Sequence, residues 1–497
     1  MSNLLTPFGG KFEEERIPFD GKYDRNRTSA HTSRVAMDEG KQTSTLQGAK
    51  AILVWNYISF FLVLMPLYLP SWDVVANNLR YVMFNCVLVT SFTWWRLGAP
   101  VKLIWPVRFL LLVQVWLTIC SFLAATQLGR TNDFETSNYF LIMAFLYYVN
   151  AVIVSHIWHG FRQQVLKILL FTMGASALLG FLQFLKIPPA MYLARVYNEV
   201  VDITSWGQGG YMEGISTSVV RPVGLGAWPE WLAFHSLCGW AIIASRMIER
   251  TLKPWEFALG SFFLLCAAIP QSRVMYLSLL VCTGVYLYML VRRDKARGKI
   301  YLMGFICALT LLMTAASDRL GYVLQTDLSK DETLRYRQET GWQQAYRILD
   351  ERPWTGIGPD NGLAWNVKRI VPDKYTQGQY LDNGFLMLMS WGGYPALALF
   401  LPVILTGFFG GIMLVRDRNA SMERRKLAFL CTIMVMCILN NMVLNNGITN
   451  IWMNCLIAVL GGLTLPNSAE RLDELKGLLN TKRRLAVDYR ATVKDEL

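Results

Sequence analysis

The stretch YLDNGFLMLMSWGGYPALALFLPVILTGFFGGIMLV (380–415) decides the fold of this chain. After Asp382 it contains no charged residue. A helix needs about 20 apolar residues to cross roughly 30 Å of hydrocarbon at 1.5 Å of rise per residue, and this run is longer. Gly392, Gly393 and Pro395 interrupt it, so we predict a short helix, a break, and then a full membrane span.

The composition of the whole chain agrees with a membrane environment. Of the 497 residues, 53% are hydrophobic and only 17% are charged, whereas soluble domains carry about 25% charged residues. We therefore predict an all-α polytopic integral membrane protein with about twelve transmembrane helices. The predicted spans are about 51–70, 79–96, 103–126, 138–158, 165–185, 227–247, 255–270, 274–291, 299–316, 384–415, 427–446 and 449–465.

The basic residues predict the orientation. A net charge of +13 would fit a nucleic-acid partner, but the Lys and Arg residues cluster between apolar runs, at 246–253, 292–299 and 416–426. With twelve spans, these clusters share one face with both termini. The positive-inside rule then makes the termini cytoplasmic, and we expect no nucleic-acid partner.

The spans divide the chain into regions. The predicted parts are a cytoplasmic N-terminal tail (1–50), a transmembrane domain (51–465) and a basic cytoplasmic C-terminal tail (466–497). Two long periplasmic loops, 186–226 and 317–383, lie inside the domain, the second between helices 9 and 10 with a predicted helix at about 331–350. Long loops on a rigid scaffold tend to carry function.

Four arginines lie near predicted outer membrane boundaries: Arg221, Arg273, Arg335 and Arg337. Guanidinium groups stay charged and offer forked donors that match phosphate oxygens, so this set suits a lipid-linked phosphate or diphosphate. The alternative is ordinary salt bridging. It applies best to Arg335, which has an acidic residue four positions away on either side; Arg337 has none.

Asp382 and Asn383 directly precede the apolar run of the quoted stretch. Either residue would serve as an N-cap for the helix that follows. A catalytic or substrate-binding role is compatible with capping, because a helix N-terminus also attracts phosphate. The sequence leaves both roles open for Asp382.

Several pieces of the chain together resemble the O-antigen ligase and polymerase superfamily of bacterial glycan-assembly enzymes. RPVGLGAWPEWLA (221–233) resembles its arginine and glycine stretch before a span, and QSRVMYLSL (271–279) its Ser-Arg-Gly segment. RQETGW (337–342) with ERPWTGIGPDN (351–361) resembles its Arg, Trp and Gly-x-Gly-Pro segment. DNGFLMLMSWGGYP (382–395) resembles its His-Asn motif.

The resemblance implies a metal-independent membrane glycosyltransferase that moves glycans from undecaprenyl diphosphate to an acceptor outside the cytoplasmic membrane. The family's first arginine corresponds to Arg221 and its second to Arg337, with Arg335 still open. Its histidine corresponds to Asp382. A carboxylate, with a reference pKa of about 3.9, is a weaker base than histidine. Asp-Asn at this point is commoner among polymerases, so we favour a polysaccharide polymerase.

In the expected mechanism, Arg221 and Arg337 hold the diphosphate of the donor, and Asp382 orients or deprotonates the acceptor hydroxyl. Attack opposite the diphosphate inverts the anomeric centre. The candidate substrate contacts are Arg273, Arg335, Asn383, Trp342 and Trp206. For any single tryptophan the alternative is a membrane-interface residue.

The expected partners are the lipid-linked donor, a glycan acceptor and the bilayer, with a chain-length regulator or export proteins as further candidates. No CxxC spacing predicts a metal site, and we expect no cofactor.

Two other functions compete with the polymerase. An O-antigen ligase or protein O-oligosaccharyltransferase differs only in its acceptor, and the sequence does not decide between them. A lipid-linked oligosaccharide flippase would be expected to carry charges deep in several spans and internal repeats. Few central charges and no convincing repeat are present. Asn440, Asn441, Asn445 and Asn446 fit an outward-facing sugar site, or alternatively helix–helix hydrogen bonds.

Overall fold

A computed structural model describes much of the predicted transmembrane domain. The described residues are 103–128, 161–191, 222–225, 229–270, 273–293, 342–359, 383–444 and 451–466, with scattered positions at 144–145, 148–149, 151–153, 155, 299–300, 302–304, 306–307 and 310. They contain helices and turns and no β-strand. The predicted tails and the spans at 51–70 and 79–96 lie outside them, so the division into domains stays a prediction.

The main helices of the described part follow the predicted spans closely. They are α1 Trp105–Leu128, α2 Phe161–Phe184, α3 Pro229–Ser245, α4 Pro254–Ala268, α5 Arg273–Arg293, α6 Gln343–Glu351, α7 Gly384–Arg416, α8 Met422–Leu444 and α9 Ile451–Leu463. Six of these nine are long and apolar enough to cross a membrane: α1, α2, α3, α5, α7 and α8. The prediction of an all-α polytopic membrane protein is confirmed, while the total of twelve spans stays a prediction.

The predicted break in α7 is confirmed at two glycines. Gly392 has φ −135° and ψ 17°, and Gly393 has φ 67° and ψ −169°. The second combination is essentially restricted to glycine, because a Cβ atom would clash with the backbone. The helix therefore changes direction after an eight-residue first segment, Gly384 to Trp391.

Contacts with α8 show that the first segment of α7 folds back. Gly411 of α7 lies against Thr432, and Gly384 lies against Met442. A straight α7 would separate its two glycines by about 40 Å, whereas their partners on α8 are separated by only about 15 Å of helical rise. The break at Gly392 and Gly393 thus returns the start of α7 to the end of α8.

Helix α3 is the centre of the bundle. Of the residues in its apolar stretch, 83% are buried, more than in any other span-length helix of the described part. Helix α3 packs against α2, α4 and α8. Trp240 is fully buried, edge-on to Tyr286 with ring centroids 5.9 Å apart. A Cβ on Gly239 would lie 2.5 Å from the ring of Phe263, so glycine permits this close packing. Helix α3 is therefore the most buried span-length helix of the described part.

Hydrogen bonds and ion pairs of charged side chains connect the helices at one end of the bundle. We call this end the basic end (Arg162, 246–256, 416–426 and 464–465). The buried carboxylate of Glu256 accepts hydrogen bonds from Arg246, from Arg250 at 2.7 Å and from the backbone N–H of Lys253 at 2.9 Å. These contacts close the turn between α3 and α4, where the sequence places one of its basic clusters.

The basic end also joins helices that are distant in sequence. Lys426 is hydrogen-bonded to Glu249, and its ammonium holds the pKa of that carboxylate below the usual range. Arg424 Nε donates to the carbonyl of Thr464 at 2.8 Å, and Arg162 donates to that of Leu465. The basic clusters at 246–253 and 416–426 therefore lie at the same end, as predicted. Which side of the membrane this end faces stays a prediction.

Candidate functional site

The structure locates the predicted site residues unevenly. Asn383 and Trp342 are described with their side chains, and Arg273 is the first residue of α5, with its side chain outside the described part. The remaining candidates lie outside the described residues: Arg221, Arg335, Arg337, Asp382 and Trp206. Their roles stay predictions, but Pro222 and Asn383, the residues that directly follow Arg221 and Asp382, are described.

Asn383 is the N-cap of α7. Its Oδ1 accepts hydrogen bonds from the backbone N–H groups of Phe385 at 3.0 Å and Leu386 at 2.9 Å. Its Nδ2 donates to the carbonyl of Val443, at the end of α8, at 2.9 Å. The capping role that the sequence left open between two residues is therefore filled by Asn383, so the Asp382 side chain is not needed for it. The second amide hydrogen of Asn383 has no partner among the described residues.

At the other end of the first segment of α7, the turn 352–358 docks against the break. The N–H of Tyr394 donates to the carbonyl of Pro353 at 2.8 Å. The N–H groups of Ile357 and Gly358 donate to the carbonyls of Ser390 at 2.9 Å and Trp391 at 3.0 Å. Backbone groups that the break removes from the helix ladder thus find partners in the turn, as buried backbone groups must.

Helix α1 contacts both the break in α7 and the turn 352–358. Trp116 Nε1 donates to the carbonyl of Gly392 at 2.7 Å, and Arg352 donates to Gln127 Oε1 at 2.8 Å. Gly356 has φ 57°, and a Cβ there would lie 2.2 Å from the carbonyl oxygen of Ser390. The Gly-x-Gly-Pro piece therefore has a structural task, which is to bring the turn into backbone contact with α7.

Trp342 stands directly before α6. Its indole is half-buried against the core, and its buried Nε1 has no hydrogen-bond partner within the described part of the chain. The buried face of α6 consists of Ala345, Ile348 and Leu349 and packs against α7. Trp342 thus packs against the core together with α6, and its predicted substrate contact stays a prediction.

Sequence reasoning missed the residues that hold the segment after Arg221. Gln183, fully buried near the end of α2, accepts backbone hydrogen bonds from Val223 and Gly224. Ser176 Oγ accepts another from Leu225 at 3.2 Å. Gln183 could not be recognised from the sequence, because a single glutamine near the end of an apolar run is common where a span reaches the membrane surface.

Six span-length helices in the described residues, one of them broken at Gly392 and Gly393 and capped by Asn383, define a polytopic membrane protein. Residues 258–401 match the family described as O-antigen ligase. The resemblance to the O-antigen ligase and polymerase superfamily is thereby confirmed, and the match supports an enzyme of membrane glycan assembly. The match does not distinguish polymerase from ligase. No curated protein matches the chain.

Proposed function

We propose that this protein is a bacterial polysaccharide polymerase, of exopolysaccharide or O-antigen type. It transfers glycan from undecaprenyl diphosphate to a growing acceptor chain at the periplasmic face of the inner membrane. The observation that carries the proposal is the family match at 258–401, which includes Arg337 and the Asp382–Asn383 pair. Aspartate at the position of the ligase histidine favours the polymerase branch.

The proposed chemistry needs no metal. Arg221 and Arg337 bind the donor diphosphate and stabilise the negative charge that develops as the glycosyl–phosphate bond breaks. The acceptor hydroxyl attacks the anomeric carbon from the opposite face, and its proton passes to Asp382. The new glycosidic bond has inverted configuration, and undecaprenyl diphosphate leaves. Asn383 supports this step by fixing the backbone next to Asp382 to the end of α8.

An O-antigen ligase, or a protein O-oligosaccharyltransferase, is the second candidate. The description of the matching family names a ligase. The donor chemistry is the same, and only the acceptor differs: a lipid A core or a protein serine instead of a glycan.

The test is a reaction of the purified protein with a synthetic undecaprenyl-diphosphate oligosaccharide. A polymerase gives a ladder of products, and a ligase gives single additions to an added lipid A core. A flippase forms no glycosidic bond. Arg221→Ala and Arg337→Ala should abolish the ladder. Arg292→Ala, an exposed arginine near the C-terminus of α5, is the matched control and should not. If both variants still make full-length polymer, the diphosphate assignment is wrong.

A further inference from the structure

We infer that Gln183, together with the Ser176–His235 pair, is a positioning group that sets the location of Arg221. This inference rests on the proposed function, because it assigns these residues a task in the same reaction. Neither Gln183 nor Ser176 was predicted from the sequence, and both lie on α2, 40 to 49 residues before the Val223, Gly224 and Leu225 amides that they bind.

Gln183 uses its whole amide on the backbone of the 186–226 segment. Oε1 accepts from the N–H groups of Val223 at 3.0 Å and Gly224 at 2.9 Å. Nε2 donates to the carbonyls of Gly224 at 3.3 Å and Ala190 at 3.5 Å. A glutamine amide has two acceptor and two donor positions, so all four are occupied. One buried side chain thereby ties the beginning of this long segment to its end.

A second contact joins the same segment to the central helix. Ser176 Oγ accepts from the N–H of Leu225 and is hydrogen-bonded to His235 Nδ1 of α3 at 2.9 Å. Ser176 is fully buried and His235 is 2% exposed. Because polar groups in such surroundings are costly to leave without partners, the arrangement has little freedom to shift.

The backbone of this segment is also fixed by its own geometry. Gly224 has φ 64°, and a Cβ there would lie 2.7 Å from Ser176 Oγ. Only glycine lets the chain approach α2 this closely. Residues 222–225 are therefore held at α2 by side-chain hydrogen bonds and by close backbone contact at the same time.

Arg221 is covalently attached to this fixed backbone. It is the residue directly before Pro222 in the sequence. A residue before proline is also biased towards extended conformations, which narrows the directions its side chain can take. A guanidinium group that must meet a diphosphate depends on such placement, because an error of about 1 Å costs on the order of 100-fold in rate.

The experiment compares Gln183→Met, which keeps the length of the side chain and removes its hydrogen bonds, with Gln183→Glu, which keeps both acceptor positions. We expect Gln183→Met to lower kcat for glycan transfer about 10- to 100-fold with a smaller change in donor KM, and Gln183→Glu to recover part of the loss. Gln114→Met is the matched control: Gln114 is buried in α1, and its Nε2 donates within that helix to Thr118. It should change kcat less than threefold.

Two measurements separate positioning from simple structural support. Hydrogen exchange at the amides of Val223 and Gly224 should be at least tenfold faster in Gln183→Met while the bundle stays folded. In an Arg221→Lys background, Gln183→Met should have little further effect on kcat, because the group that it positions has already been compromised. Unchanged exchange, unchanged kcat, or a full additional loss in the Arg221→Lys background would each overturn the inference.

The same design distinguishes this inference from the proposed function. If the unaltered protein transfers no glycan, the proposed function falls, and the catalytic part of the inference falls with it. Faster exchange in Gln183→Met would then still establish that Gln183 holds the 222–225 backbone. If the unaltered protein is active and Gln183→Met exchanges faster with normal kcat, the proposed function stands and the positioning role is refuted.

Discussion

The break in α7 leads to the sharpest stability prediction, which is the effect of Gly393→Ala. Gly393 has φ 67° and ψ −169°, and a Cβ there would lie 2.4 Å from the carbonyl oxygen of Pro353 and 2.4 Å from the carbonyl carbon of Trp354. Both obstacles are backbone atoms, which cannot rotate away as a side chain does. One methyl group therefore either forces the helix to straighten or expels the turn 352–358.

The magnitude follows from two independent costs. An L-residue in this conformation costs about 1–3 kcal/mol. Overlap with packed backbone costs about 1–3 kcal/mol more. The free energy of unfolding should therefore fall by about 2–6 kcal/mol, a large part of the stability of a typical domain. Gly410→Ala is the matched control in the same helix: Gly410 has open space around it, so the change should be neutral or stabilising by about 0.5–1 kcal/mol.

The assay is unfolding of the purified protein in detergent, followed by heat and by denaturant. Hydrogen exchange at Ile357 and Gly358, whose amides donate to the carbonyls before the break, reports whether the turn has left. Equal stability of Gly393→Ala and Gly410→Ala, with Ile357 and Gly358 still protected, would refute the backbone geometry described for this site.

Three further predictions concern the cap, the basic end and metals. Asn383→Ala should destabilise α7 by about 1–2 kcal/mol, seen as a lower melting temperature. Asn383→Asp keeps the cap but loses the bond to Val443, so it should lower transfer activity while the melting temperature changes less than in Asn383→Ala. If Asn383→Asp lowered the melting temperature as much as Asn383→Ala, the proposed positioning of Asp382 would be contradicted. Glu256→Gln should cost about 1–3 kcal/mol in unfolding, since charge-assisted hydrogen bonds to Arg246 and Arg250 are weakened, and an unchanged unfolding curve would contradict that role. EDTA should leave transfer activity unchanged, and a strong loss would indicate a required metal.

Much of the fold follows from local properties of the sequence. Apolar length located α1, α2, α3, α5, α7 and α8, and glycines next to a proline located the break. The docking of 352–358 could not be predicted, because it depends on backbone hydrogen bonds to residues more than 30 positions away, and these leave no pattern in side-chain type.

The site divides in the same way. Phosphate chemistry and the family resemblance select Arg221, Arg337 and Asp382, and these three remain predictions. The sequence offers no means of finding Gln183, because its partners are amides about 40 residues further along the chain. Asn383 was predicted as a candidate substrate contact, but its bond to Val443 is a tertiary contact that only the structure shows.

The bond between Asn383 and Val443 also orders events during synthesis. The turn 352–358 is made before α7, but Val443 is made 60 residues after Asn383. Until α8 is complete, Asn383 can cap α7 but the carbonyl of Val443 is not there to accept its Nδ2 hydrogen bond. Chains shortened to stop within α8 before Val443 would contain all the helices up to α7 and still leave Asn383 without this bond.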